Sequence, residues 1–169
     1  MTSSSRLNQI QIDTREKKNG FIEQYIEYKG FPYIRSKMHV GDYMFRCNPY
    51  YVIDRKKNMS ELYGNLTQQH KRFRNEMLQA QATNTKLVIL IQDEEIKRLE
   101  DVKTWENPQS KFSDKALDGY EVYRRLDKMR QVYDCEFVFA TRDEYASTVL
   151  HLLEDARDKW LNGIKEIYL

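Results

Sequence analysis

Gly41–Lys56, GDYMFRCNPYYVIDRK, is the stretch on which the reading of the whole chain turns. Val40–Arg46 and Tyr50–Lys56 are rich in β-branched and aromatic residues, and Cys47-Asn48-Pro49 between them carries turn chemistry, so a β-hairpin is expected. Side chains alternate along a strand, which puts Asp54 and Lys56 on one face and Arg55 on the other. A turn centred near Asn48 sets Asp42 opposite Asp54, with Cβ atoms about 5 Å apart. A one-residue slip breaks that pairing, and a bulge at Gly41 restores it. Two carboxylates so placed suit one hard cation such as Mg²⁺, which keeps several waters and takes further ligands from substrate phosphate. Such a metal acidifies a bound water and stabilises phosphoryl charge while an adjacent lysine orients the nucleophile, the chemistry of phosphodiester hydrolysis. The competing reading is plain: Asp beside Arg and Lys is common on solvated strand edges, and Gly-Asp is an ordinary turn pair.

The surroundings weigh on that choice. At 169 residues the chain is long enough for one well-buried core and too short for two ordinary domains. With 40% hydrophobic and 32% charged residues but only six Gly and three Pro, it is neither disordered nor fibrous. The net charge of +2 conceals an asymmetry. Between Arg35 and Arg74 stand nine basic residues against the three acids Asp42, Asp54 and Glu61, leaving the remainder net negative. A basic region around the carboxylates suits a polyanion, although a charge run is more often a solvated face. Cys47 and Cys135 are far apart and outside any zinc-ligand spacing, so neither a disulfide framework nor a zinc site is expected. Met1–Arg6 lacks an apolar leader core, and the longest apolar run, Leu87–Ile91, is too short to span a bilayer. A cytoplasmic protein is expected, nuclear if the host has a nucleus, and not a secreted one.

Along the chain, residues 1–9 read as a flexible polar tail, followed by a single domain over 10–169. Ile10–Asp13 is a strand whose end, Asp13-Thr14-Arg15-Glu16, either faces the hairpin's cleft or caps the next helix. Phe21–Tyr28 has helical spacing and is stopped by Gly30 and Pro32. Ser60 is placed to cap a long helix reaching about Ala82, with Leu62, Leu66, Phe73 and Met77 on its apolar face. Glu76 on that helix either supports the site or pairs with Arg72 one turn back. His70 reads as a surface residue. Leu87–Ile91 is an unbroken apolar strand for the middle of a sheet. Glu94–Asp101 reads as a short helix, and Lys103–Gly119 as an irregular, mobile loop. Its Trp105 and Phe112 either stack on nucleobases or anchor the loop. Tyr120–Tyr133 is helical, Phe137–Ala140 a buried strand and Glu144–Trp160 a long amphipathic helix. The tail, with Ile164, Ile167 and Leu169, packs back or meets a partner. This alternation predicts an α/β fold, a central sheet with helices on both faces.

The ordered signals IDTRE, GDY, VIDRKKNMSEL, RFRNEM and KLVILI resemble the nuclease domain of the XPF family, especially its small stand-alone versions from phages and mobile elements. The resemblance covers roughly Ile10–Ile91. It implies a restriction-endonuclease-like, PD-(D/E)XK core with a mixed central sheet, and a metal-dependent DNA endonuclease acting on flaps, forks and junctions, as in DNA repair and recombination. Carried over by motif, it makes Asp13, Asp42 and Asp54 the ligands of Mg²⁺ or Mn²⁺ and Lys56 the residue that positions or activates water. Arg15, Glu16 and Arg55 support metal and phosphate. Arg35, Lys37, Lys57, Lys71, Arg72 and Arg74 are then the candidate DNA contacts. Asp54 stands where the family has Glu, and Ser60 where it has Asp. The helix-hairpin-helix module common in the family has no counterpart in this sequence. A homodimer through the late helix and tail also follows from the resemblance. The rivals are a non-catalytic nucleic-acid-binding module of the same fold and a less selective DNase or RNase.

Overall fold

The structure, a computed structural model, describes residues 7–17 and 19–168, with side chains through residue 164. Most of the expected N-terminal tail, and Leu169, lie outside the described residues. Of the tail's remainder, Gln9 is buried and accepts from Arg46 Nη1 at 2.6 Å.

Six strands form one sheet in the order β2-β1-β3-β4-β5-β6. They are β1 (Ile10–Ile12), β2 (Tyr33–Arg35), β3 (Tyr43–Phe45), β4 (Asn48–Lys56), β5 (Lys86–Gln92) and β6 (Glu136–Ala140). The sheet is mixed: β3 runs antiparallel to both β1 and β4, whereas β1–β2, β4–β5 and β5–β6 are parallel. β5 lies between β4 and β6, as its five consecutive buried residues require. Its side chains alternate between two cores. Leu87, Ile89 and Ile91 meet α2 (Met59–Leu66), α3 (His70–Ala82) and α4 (Gly119–Tyr133). Val88 and Leu90 meet α1 (Gly20–Tyr28) and α5 (Tyr145–Tyr168) on the other face. Each fully buried aliphatic contributes roughly 1.5–3 kcal/mol, so the sheet centre is a rigid base for whatever its strand ends carry.

Several expectations need correction. The hairpin turn lies at Arg46-Cys47, since Phe45 pairs with Asn48, and Asn48 and Pro49 belong to β4. The first strand is only Tyr43–Phe45 rather than Val40–Arg46. A register shift between Tyr43 and Phe45 then restores the pairing of Tyr43 with Ile53, which sets Asp42 beside Asp54 as anticipated, with the irregularity falling after Gly41. The long helix is two. Asn58, not Ser60, caps α2 by accepting from Glu61 N–H at 2.9 Å, and the polar Thr67-Gln68-Gln69 separates α2 from α3. Leu62, Leu66, Phe73 and Met77 are all buried, so the apolar stripe crosses the break and conceals it from a periodicity reading. Glu94–Asp101 is not an α-helix: the Asp93 carboxylate accepts from Glu95 and Ile96 N–H, and a 3₁₀ stretch begins only at Leu99. The three-residue β2, too short to show a period, adds an edge strand where none was expected.

Candidate active site

β4 delivers the decisive side chains. Asp54 and Lys56, two residues apart on one strand face, are both buried, and Lys56 Nζ lies 2.6 Å from Asp54 Oδ2. The Lys56 ammonium also sits 5.4 Å from the centre of the Phe73 ring on α3. Asp42 arrives from the neighbouring turn. Its N–H donates to Ile53 O at 2.8 Å, its carbonyl accepts from Asp13 N–H at 2.9 Å, and its Oδ2 accepts from Arg55 N–H at 2.7 Å. Gly41 makes that turn possible. Its φ is +68°, and a Cβ there would lie 2.2 Å from Val52 Cγ1 and 3.0 Å from Ile53 O.

These groups open onto a cleft of about 230 Å³. Asp42, Asp54 and Lys56 line it together with Glu61, Glu76, Arg72 and Phe73. Gln69, Arg72, Phe73 and Glu76 follow the i, i+3, i+4, i+7 spacing of one helix face, the signal in the sequence that matches α3's place as a wall of the cleft. Glu76 turns to the cleft and forms no ion pair among the described residues, so the alternative partner Arg72 does not hold it.

The electrostatics are those of crowded carboxylates. Burial, reinforced by the Asp54 charge, pushes the Asp42 carboxyl well above the usual carboxylate range. Burial and then Asp54 raise Glu76 in the same way. Burial alone would lower Lys56, but the Asp54, Glu76 and Asp42 carboxylates, Asp54 foremost, together outweigh it and hold the ammonium above its ordinary range. No group of three His, Cys, Asp or Glu side chains among the described residues is drawn into a closed metal cage. Mg²⁺ does not need one, because it binds through one or two carboxylates plus waters and substrate phosphate. Asp54 Oδ2 is buried, and among the described residues its one close partner is the Lys56 ammonium at 2.6 Å. The donor set Asp42 and Asp54 therefore fits a hard divalent cation.

The other expected site residues divide. Asp13 is buried, and its carboxylate is filled by four donors: Arg15 N–H at 2.7 Å, Arg15 Nε at 2.8 Å, Arg15 Nη2 at 3.1 Å and Met38 N–H at 2.6 Å. Although burial pushes its pKa upward, the Arg15 and Met38 bonds hold it below the usual range. Asp13 does not line the cleft. Arg15, Glu16 and Arg55 do, and Arg55 Nη1 donates to Glu16 Oε1 at 2.9 Å. The Arg55 guanidinium lies about as far from the Phe21 ring (5.8 Å) as from the Tyr145 ring (5.9 Å), braced on the face opposite Lys56.

Among the expected DNA contacts, Lys71 and Arg72 line a polar groove that opens from the cleft along α3. Arg74 points to the other side of that helix, into a different groove. Arg35 is a brace: it donates to Glu16 O and Asn19 Oδ1, each at 2.9 Å, and pairs with Glu23. Lys37 borders a separate groove beside Met38 and Val40, and Lys57 is exposed just past β4. Trp105 packs on Tyr63 and the core, while Phe112 is 84% exposed.

With this geometry in place, the chain can be compared with known proteins. The family model described as the ERCC4 domain matches residues 12–153. The chain belongs to the ERCC4 domain family. Among solved structures, this ERCC4 domain is similar to XPF from Aeropyrum pernix, with a TM-score of 0.61 and 14% identity over 86% of this chain and 60% of that one. It is likewise similar to XPF from Aeropyrum pernix in complex with DNA, with a TM-score of 0.63 and 15% identity over 90% of this chain and 66% of that one. The chain thus spans less than two thirds of each, and at these identities what is shared is the fold, the restriction-endonuclease-like core of the XPF nuclease. A search of curated proteins found no match. No helix among the described residues is long and apolar enough to cross a membrane.

Proposed function

We propose that this ERCC4 domain is a metal-dependent, structure-specific DNA endonuclease, hydrolysing phosphodiester bonds near flapped, forked or branched positions. The observation that carries the reading is the convergence of Asp42, Asp54 and the Lys56 ammonium in one cleft. Asp42 and Asp54 would hold Mg²⁺ or Mn²⁺, with Glu76 facing the same space. Bound there, the ion would supply an acidified water and neutralise charge on the scissile phosphate. Lys56, its ammonium 2.6 Å from Asp54 Oδ2, would act as a fixed positive charge that orients the nucleophile and meets developing phosphoryl charge. Asp13 has a different task, holding Arg15 and the Met38 segment so that the turn bearing Asp42 stays seated. Family membership and the likeness to XPF, including XPF in complex with DNA, support a nucleic-acid substrate.

The test is cleavage of labelled flap, fork, four-way junction, linear duplex, single-stranded DNA and RNA, by wild type and Asp54→Asn, with Mg²⁺, Mn²⁺ or EDTA. Cutting of branched DNA that needs the ion and disappears in Asp54→Asn is the expected result. Binding without cutting under every metal would replace the nuclease by a non-catalytic binding module. Equal cutting of every substrate would make it an unselective nuclease.

A further inference from the structure

The cleft is flanked by two grooves of opposite character. Towards α3's polar side, a groove shares Arg15, Gln69, Arg72 and Glu76 with the cleft and continues along Gln68, Lys71, Asn75 and Gln79. Cations and amides dominate its lining, with His39 and the Glu76 carboxylate but no aliphatic or aromatic hydrocarbon side chain, a set suited to a phosphate backbone track. On the other side, Asn65 and Phe73 are shared with a second groove of about 400 Å³ between α2–α3 and α4. Its floor is apolar and partly aromatic: Leu66, Phe73, Met129, Tyr133, and a Val132 that is 52% exposed. Its rim carries Arg74, Arg125 and Lys128, and no carboxylate lines it. Neither Arg74 nor Lys128 is in an ion pair among the described residues, whereas Arg125 is held by Glu121 at 3.3 Å.

An exposed valine beside a tyrosine and a methionine, rimmed by three cations of which Arg74 and Lys128 form no ion pair among the described residues, and sharing Asn65 and Phe73 with the candidate active site, has a specific complement. Duplex DNA presents its charged backbone and base edges but keeps its base faces stacked, so it would leave the aromatic part of the floor unmatched. An unpaired strand presents both phosphates and base faces, which is the pairing that cation-rimmed aromatic grooves accept. We propose that this groove holds the single-stranded arm of the substrate as it leaves the cleft past Phe73, while the polar groove carries the duplex. This rests on the nuclease reading of the cleft and deepens it, because it gives a physical source for selection of duplex-to-single-strand transitions.

The test is binding rather than cutting. Wild type, Val132→Asp and Lys128→Glu are titrated in EDTA onto a labelled duplex bearing a single-stranded arm and onto the same duplex blunt-ended. Both substituted positions are solvent-exposed helix sites. Each variant is expected to lose about tenfold in affinity for the armed duplex, the scale of one lost stacking or charge contact, and to keep its affinity for the blunt one. Equal losses on both substrates, or no loss on the armed one, would overturn the proposal. So would a dimeric wild type that Val132→Asp converts to monomer in light scattering, which would give the groove to a second copy of the chain. Arm preference in a chain that never cuts would sink the nuclease reading and leave this one standing; cutting with no arm preference does the reverse.

Discussion

Asp13 and Asp42 carry the same carboxyl group into opposite surroundings. Asp13 is met by four N–H donors and its pKa is lowered; Asp42 receives one backbone N–H, lies near Asp54, and its pKa is raised. Their contributions to stability therefore separate along the pH axis. A carboxyl whose folded pKa is raised costs stability as pH climbs from its unfolded value, about 4, through the folded one. Asp13, with its folded pKa lowered, contributes stability that is lost only as pH falls below about 4. Metal-free protein should accordingly gain thermal stability as pH is lowered from 7 towards 5, and Asp42→Asn should flatten that gain. Thermal midpoints measured in EDTA across this range check it, and a midpoint that falls steadily on acidification would count against the crowded-carboxylate account. Sequence alone could not separate these two aspartates. Each sits in a short motif; Arg15, two positions on, supplies three of the donors to Asp13, but the fourth, Met38 N–H twenty-five positions away, and the burial of Asp42 beside Asp54 are revealed by no local pattern.

The hairpin was legible as an element but not in its details. Alternation placed Asp54 with Lys56 and Arg55 opposite, and the structure agrees, because period 2 is a property of the strand itself. The position of the turn was not readable, since an irregular register between Tyr43 and Phe45 offsets a turn that comes earlier than Asn48. The break between α2 and α3 was hidden for the reason already seen: buried residues continue across it. Gly41 is the element's sensitive point. Gly41→Ala must adopt a positive φ and displace Val52, so it should cost about 1–3 kcal/mol from the backbone alone, with cleavage falling as Asp42 shifts. Chemical denaturation and single-turnover cutting would register both effects. An alanine variant as stable and active as wild type would mean that the turn has another way to seat Asp42.

At the scale of the molecule, the sheet orders the parts: parallel β4, β5 and β6 build the rigid centre, and β4's carboxyl end meets α3 at the cleft. The basic stretch from Arg35 to Arg74 looked uniform in sequence, yet the fold divides it among a brace (Arg35), a polar groove (Lys71, Arg72) and an apolar groove (Arg74). If Arg72 contacts phosphate, DNA affinity should fall as salt rises, and Arg72→Ala should reduce the slope of log affinity against log salt by about one. An unchanged slope would remove Arg72 from the interface. The most direct test of the site as a whole is calorimetric titration of Mn²⁺ into wild type, Asp42→Asn and Asp13→Asn. Wild type and Asp13→Asn should bind the ion alike, although Asp13→Asn loses about 1–3 kcal/mol of stability with its hydrogen bonds. Asp42→Asn should bind it at least about tenfold more weakly, a ligand loss no milder than the loss of an outer-shell partner. Undiminished binding by Asp42→Asn, or an equal loss in Asp13→Asn, would contradict the assignment of the metal to Asp42 and Asp54.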